Sequence, residues 1–239
     1  MRVVLLLAVT AGSASALCGN ATLPLDPSKP NVLLIGDSIS MSPPYTPGGY
    51  GHALAALLTA RGIAVQHAGG AFSGGQCGDT RLGLACTNAT GESWLDFEGT
   101  FDLVHYNFGL HDCADYPALP HVPLPLYGAN LVAIHARLAA RAKRVMWTST
   151  TPAPNVPQDF NRTYANVVAY NAEARAALAA AVAPAALLEN DLWSAFIKSC
   201  GALYKSCKLQ LPNNVHLTPA GIDFAAAAAA KDILAALGM

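Results

Sequence analysis

The sequence predicts a three-layer α/β/α fold built on a mainly five-stranded parallel sheet. Three observations carry this expectation. Short apolar runs alternate with helical patterns along the chain. The first run, Asn31-Val-Leu-Leu-Ile35, is almost continuously apolar and ends at Gly36, as a strand buried on both faces does. The elements recur in β-α-β-α order, which implies parallel strands with helices on both sides of the sheet.

The elements follow in chain order. After the 31–35 strand, His52 to Arg61 reads as a helix centred on Ala-Leu-Ala-Ala-Leu-Leu and closed by Gly62. Ile63 to Gln66 is a second short strand, and Phe101 to Phe108 a third, with Val104, Tyr106 and Phe108 on one face. Leu126 to Ala142 is a helix, and Arg144 to Thr148 the strand after it. Tyr164 to Ala183 is a long Ala-rich helix, followed by a fifth short strand at Ala186 to Leu188. Pro219 to Leu237 is the last helix, and its Ala225–Ala230 run favours both helix formation and close packing on a sheet. Functional groups of such sheets gather in loops at the carboxyl ends of the strands.

Composition narrows the class. The chain has 239 residues, 53% hydrophobic and 12% charged, with a formal net charge of -1. That length can bury a core without help from metals or partners. The low charge argues against disorder, and nothing points to nucleic acid or to an anionic membrane. Met1-Arg2, the apolar run Val3 to Val9 and the Ala14-Ser15-Ala16 triplet read as a signal peptide over residues 1–16. The expectation is therefore a secreted chain with one domain over 17–239, acting as a monomer with no stable membrane insertion.

The six cysteines agree with export, and an exported domain is expected to pair them all. Short loops favour Cys77–Cys86 and Cys200–Cys207, which leaves Cys18–Cys113. No C-x-x-C pair suggests zinc. Asn20, Asn88 and Asn161 each open an N-x-T triplet, the acceptor pattern for glycosylation.

Gly36-Asp37-Ser38-Ile39-Ser40 follows the first strand directly. The glycine permits a tight turn and the turn presents the Ser38 hydroxyl; an ordinary capped strand-to-helix turn would look the same. A serine nucleophile needs a base. His216 offers one, in the loop Leu211-Pro-Asn-Asn-Val-His216-Leu-Thr-Pro-Ala-Gly221, ahead of a helix that Thr218 can cap and Pro219 can open.

With these two motifs in place the chain resembles the SGNH/GDSL hydrolases, which adopt a flavodoxin-like fold. The resemblance runs in block order through nearly the whole mature chain. The family nucleophile lies in a Gly-Asp-Ser motif, matched by Gly36-Asp37-Ser38, with Ile39 where Leu is usual. The family's last block, Asp-x-x-His, is matched by Asn213-x-x-His216. The resemblance implies Ser38 as nucleophile, His216 as general base and Asn213 as the residue that orients it. For the oxyanion it implies the N–H groups of Ser38 and of a glycine in the second block. Gly78 in Gln76-Cys-Gly-Asp-Thr80 is favoured for that role over Ser73-Gly-Gly75. The third block, usually Gly-x-Asn-Asp, reads Gly109-Leu-His111-Asp112, so His111 stands where Asn should. Asn107 on the same strand face is the fallback donor.

An amide at position 213 cannot stabilise an imidazolium by charge. Three readings stay open: a Ser–His dyad held by Asn213, a carboxylate from elsewhere such as Asp191 or Asp112, or a weak relative that only binds its ligand. The implied activity is hydrolysis of carboxylic esters without metal or organic cofactor. The favoured substrates are O-acetyl groups on extracellular glycans. The alternatives are a non-catalytic glycan-binding protein or a lipase/lysophospholipase. Trp94, Trp147 and Trp193 are candidates for stacking on sugar, with a core role favoured for Trp147. The Thr148–Pro154 segment either lines the pocket or forms a rigid loop.

Overall fold

The structure is a computed structural model that describes residues 18, 24–40, 49–68, 78–88, 93–95, 98–115, 119–154, 160, 162–201 and 207–239. Residues 1–16, the Ser73–Gly75 stretch, Cys77, Asn20 and Asn161 lie outside them.

Five strands form one sheet: β1 (Asn31–Ile35), β2 (Ala64–His67), β3 (Leu103–Tyr106), β4 (Val145–Thr148) and β5 (Leu188–Asn190). All pairings are parallel and the order is β2-β1-β3-β4-β5. Six helices are described: α1 (Gly51–Thr59), α2 (Thr80–Cys86), α3 (Leu124–Ala139), α4 (Tyr164–Ala181), α5 (Leu192–Cys200) and α6 (Pro219–Leu237). Helices α1 and α6 pack together, with α5 against α6; α2, α3 and α4 form the other layer. The α/β class, the five parallel strands and the flavodoxin-like order are thus as the sequence predicts.

Every residue of β1, β3 and β4 is buried, which explains runs without polar alternation. In β1 and β3 the register sets Val32 opposite Leu103 and Ile35 opposite Tyr106. Helix α6 lays Ala225, Ala226, Ala229, Ala230 and Ile233 inward, so its backbone approaches the sheet closely. The strand order reverses between β1 and β3. In an open α/β sheet the crevice at the carboxyl ends of those two strands is where a ligand fits.

Two helices, α2 and α5, were not expected. Each is short and opened by an aspartate: Asp79 accepts from the N–H groups of Arg81 and Leu82, and Asp191 from that of Ser194. The aromatic candidates divide. Trp94 and Trp147 are each 1% exposed and belong to the core. Trp193 is partly buried and packs on Tyr164, ring centroids 5.0 Å apart.

The disulfide expectations need correction. Cys200–Cys207 forms as expected, but Cys86 bonds to Cys18 rather than Cys77, and Cys113 is a free, buried thiol. Loop length is the wrong guide here because the helical turn of α2 decides where Cys86 points. It ends the helix facing the core, where Trp94 Nε1 also donates to the Cys18 carbonyl at 2.6 Å. Burial pushes the Cys113 thiol up to about 12, so it is inert rather than nucleophilic.

Candidate active site

The carboxyl end of β1 delivers the chain into a tight turn. A Cβ on Gly36 would overlap the Ser40 side chain, so only glycine fits there. Asp37 Oδ1 accepts the Ile39 N–H at 2.9 Å, and Tyr50 N–H donates to the Ile39 carbonyl at 2.8 Å. These bonds clamp the turn and present Ser38, which is 8% exposed.

The second element comes from the far end of the chain. An isolated antiparallel bridge pairs Gln210 with Leu217, and Leu211 N–H donates to the His216 carbonyl at 2.9 Å. The loop this closes carries His216 to Ser38 across 178 positions of sequence, with Nε2 3.0 Å from Oγ. Nδ1 lies 2.8 Å from Asn214 Oδ1, and the same oxygen accepts the backbone N–H of His216 at 3.0 Å. A backbone N–H can only donate, so the amide oxygen faces the ring and Nδ1 must carry the ring proton. Nε2 is then the free lone pair, directed at Ser38.

The orienting amide is therefore Asn214, not Asn213. Asn213 takes a left-handed backbone, φ 51°, and serves the turn. The carboxylates offered as substitutes are engaged elsewhere. Asp191 Oδ1 accepts from Ser149 Oγ, Arg175 and the Ser194 N–H. Asp112 Oδ1 accepts from Thr80 N–H at 2.9 Å and Thr80 Oγ1 at 2.5 Å. Burial holds His216 below the ordinary imidazole value; Asp37 raises it, while Arg162 and His111 lower it further. The shift favours the neutral ring that a base needs.

The expected oxyanion donors fare differently. Gly78 has φ 59°, a left-handed backbone that favours glycine, immediately before the Asp79 cap of α2. Asn107 donates through Nδ2 to the Thr148 carbonyl at 2.7 Å and Thr150 Oγ1 at 3.4 Å. The Asn107 amide thus faces the β4 end. His111 is the other side-chain candidate. Burial holds it below the usual imidazole range, with Arg162 acting the same way and Asp37 and Asp79 opposing. A neutral His111 has one N–H to donate. Between the turn after β1 and the carboxyl end of β4 lies a cavity of ≈ 10 Å³, room for about one water, lined by Asp37, Tyr50, Asn107, Leu110 and the Thr148–Thr151 segment but by neither Ser38 nor His216. Of the Thr148–Pro154 segment, the Thr148–Thr151 part lines this cavity. A larger hollow at the opposite end of the strands is lined by Asp102, Lys143 and neighbours and holds none of these groups.

Asp112 fixes the second block to the third through Thr80 at the start of α2. Burial pushes its carboxyl up to about 7, against the two Thr80 hydrogen bonds; Asp79 raises it and Arg81 lowers it. Its Oδ2 is buried with no hydrogen-bond partner. An acid whose folded pKa lies above its unfolded value holds its proton more tightly in the native state. Native stability therefore falls as pH rises from the unfolded value through about 7, and the penalty is complete above that. Asn keeps the acceptor for Thr80 and removes the charge. Asp112→Asn is expected to gain on the wild type by about 1–3 kcal/mol between pH 5 and pH 8.5. Urea unfolding at both pH values measures this, and a difference independent of pH refutes it.

Residues 34–223 match the model of the GDSL-like lipase/acylhydrolase family. No curated protein is similar enough in sequence to be matched. Among solved structures, the chain resembles an acetylxylan esterase from Geobacillus stearothermophilus at TM-score 0.61 and 17% identity, over 87% of this chain and 94% of that one. It resembles a GDSL-like lipase from Bacteroides thetaiotaomicron at TM-score 0.62 and 15% identity, over 95% and 96%. An α/β hydrolase from the metagenome of Lake Arreo, Spain, is similar at TM-score 0.59 and 20% identity, over 87% and 94%. At such identities these likenesses speak for the fold, while the family match covers most of the chain and includes both Ser38 and His216. The chain belongs to the GDSL-like lipase/acylhydrolase family, the SGNH hydrolases, and its chemistry is that of an ester hydrolase.

Proposed function

We propose that the protein is a secreted serine esterase that removes O-acetyl groups from extracellular glycans, with Ser38 as nucleophile and His216 as general base. The observation that carries this reading is the 3.0 Å approach of His216 Nε2 to Ser38 Oγ, with Nδ1 held by Asn214.

The reaction is acyl transfer to water. Ser38 Oγ bonds to the acyl carbon as its proton passes to Nε2, and the carbonyl electron pair moves onto oxygen. The N–H groups of Ser38 and Gly78, with His111, receive that oxyanion. Each such donor is worth about 2.7–4 kcal/mol of barrier. Collapse breaks the bond to the alcohol oxygen, which takes the proton from Nε2. Water then attacks the acyl-serine with the same proton transfers, releasing the acid and restoring Ser38.

Short acyl groups are favoured by the acetylxylan esterases among the structural neighbours. Residues 1–16 are read as the leader and 17–239 as the single domain. The two disulfides suit an oxidising compartment, and Asn88, which opens one glycosylation triplet, is exposed. No helix among the described residues is long and apolar enough to cross a membrane.

Hydrolysis of p-nitrophenyl acetate, butyrate and octanoate, beside acetate release from acetylated xylan, tests the substrate. The expected result is kcat/KM at least about tenfold higher for acetate than for octanoate, a difference of about 1.4 kcal/mol in barrier. A preference for the octanoate would assign a lipase instead.

A further inference from the structure

The approach of His216 Nε2 to Ser38 Oγ depends on how the backbone is turned at His216, and the two peptide groups beside it set that turn. The peptide after His216 is held by Leu211, whose N–H donates to the His216 carbonyl at 2.9 Å. The peptide before it is held at both edges. Its N–H donates to Asn214 Oδ1 at 3.0 Å. Its oxygen, the Val215 carbonyl, accepts from Gln210 Nε2 at 3.2 Å. The same Nε2 donates to the Pro152 carbonyl at 2.7 Å. Both partners are carbonyls, which only accept, so the amide nitrogen and not its oxygen faces them.

Gln210 is 5% exposed, and its Oε1 is buried with no hydrogen-bond partner among the described residues. A buried acceptor left unmatched is destabilising, and an apolar side chain of similar length would avoid it. The oxygen therefore gives no reason for an amide at this position; its two N–H bonds do. What they grip on the far side is fixed. Pro152 is buried in the stretch that follows β4. Helix α4 clamps that stretch through Asn171: Thr150 N–H donates to Asn171 Oδ1 at 2.8 Å, and Asn171 Nδ2 to the Thr150 carbonyl at 2.9 Å. The end of β5 holds it too, since Ser149 N–H donates to the Asn190 carbonyl at 3.1 Å.

We propose that Gln210 is a positioning residue for the general base: its amide ties the peptide before His216 to the fixed stretch after β4 and so turns Nε2 toward Ser38. This rests on the Ser38–His216 esterase reading. Gln210 acts on the reaction only through His216. Without its two N–H bonds the Val215 carbonyl loses its donor, and the peptide before His216 can rotate and carry the ring with it. A displacement of about 1 Å at the base costs on the order of a hundredfold in rate.

Two variants separate positioning from packing. Gln210→Met keeps an unbranched side chain of similar length and removes both donors. Its kcat for p-nitrophenyl acetate is expected to fall roughly tenfold to a hundredfold with KM little changed. The rate at which a fluorophosphonate labels Ser38 should fall by the same factor, because that attack needs the same base. In Gln210→Glu the neutral carboxyl has one O–H to donate, while the ionised form has none and repels both carbonyls. Burial beside two carbonyls raises that carboxyl above the ordinary glutamate value. The ratio of its kcat to that of the wild type should therefore be highest in acid and fall at least about tenfold from about pH 5 to about pH 9. The ratio for Gln210→Met should stay flat. Taking ratios to the wild type cancels the titration of His216 itself.

A Gln210→Met enzyme whose kcat and labelling rate lie within about twofold of the wild type overturns the proposal. A lower Tm with unchanged kcat per labelled site does the same and makes Gln210 a structural residue. Should Gln210→Met fail to fold, Gln210→Glu decides, since it keeps a donor in acid; a ratio that does not change with pH overturns the proposal. The labelling also tells the two readings apart. No label on Ser38 of the wild type ends the esterase reading, whereas equal labelling of wild type and Gln210→Met leaves that reading standing and removes Gln210 from it.

Discussion

Ser38→Ala is expected to lower ester turnover by about four to six decades with the fold intact. The substitution removes one oxygen, which in the native protein bonds to His216 Nε2 at 3.0 Å. Ala keeps the backbone N–H, so the first oxyanion donor survives and so does substrate binding. What is lost is the atom that forms the acyl bond. KM should change little, and the far-ultraviolet circular dichroism should be that of the wild type. His216 then has no serine hydroxyl to deprotonate, and water in the vacated space attacks the ester only slowly. Residual turnover above a few per cent would assign the nucleophile to another residue. A drop in Tm of more than about 5 °C would mean that the activity loss reports unfolding rather than chemistry.

Much of this site is legible in the sequence because each piece is local. Gly36-Asp37-Ser38 follows an apolar strand, and Thr218-Pro219 opens a helix just after His216. The pieces that were not legible depend on contacts between distant segments. The resemblance to the family's Asp-x-x-His block names Asn213 as the orienting residue, yet the tight Leu211–His216 turn takes Asn213 in a left-handed backbone. Asn214 is then the side chain that folds back two residues to meet Nδ1. Asn107 lies just beyond the end of β3 and donates its amide to the Thr148 carbonyl, which no pattern in the β3 sequence announces. Helix α2 is only seven residues and contains Gly83, where a Cβ would meet Phe108 and Ile134 at under 3 Å. A glycine kept for packing reads in sequence as a loop, and that hid the helix and the direction of Cys86 with it. Helix α5 did leave a signal: Asp191 stands at a capping position right after a strand.

Gly221→Ala is expected to destabilise the fold by roughly 3 kcal/mol and to lower kcat about a hundredfold. Intrinsic propensity argues the other way. Gly221 lies in the first turn of α6 and does not take a left-handed backbone, so Ala should gain up to about 1 kcal/mol there. Packing decides against it. A Cβ on Gly221 would fall inside the contact radius of the Leu209 carbonyl oxygen, 2.8 Å from its carbon and 3.2 Å from the Leu209 Cα. These are backbone atoms, with no flexible side chain to give way. Leu209 O also accepts the Thr218 N–H at 3.1 Å, and Thr218 Oγ1 donates to the Lys208 carbonyl at 2.7 Å. Moving Leu209 therefore strains both attachments at the base of the loop that holds His216. A shift of about 1 Å there takes Nε2 out of hydrogen-bond reach of Ser38 Oγ, and such misplacement costs on the order of a hundredfold in rate. Thermal unfolding and p-nitrophenyl acetate kinetics measure the two effects. An Ala variant as stable and as active as the wild type would show that α6 can slide on the sheet, and that His216 is positioned from Asn214 alone.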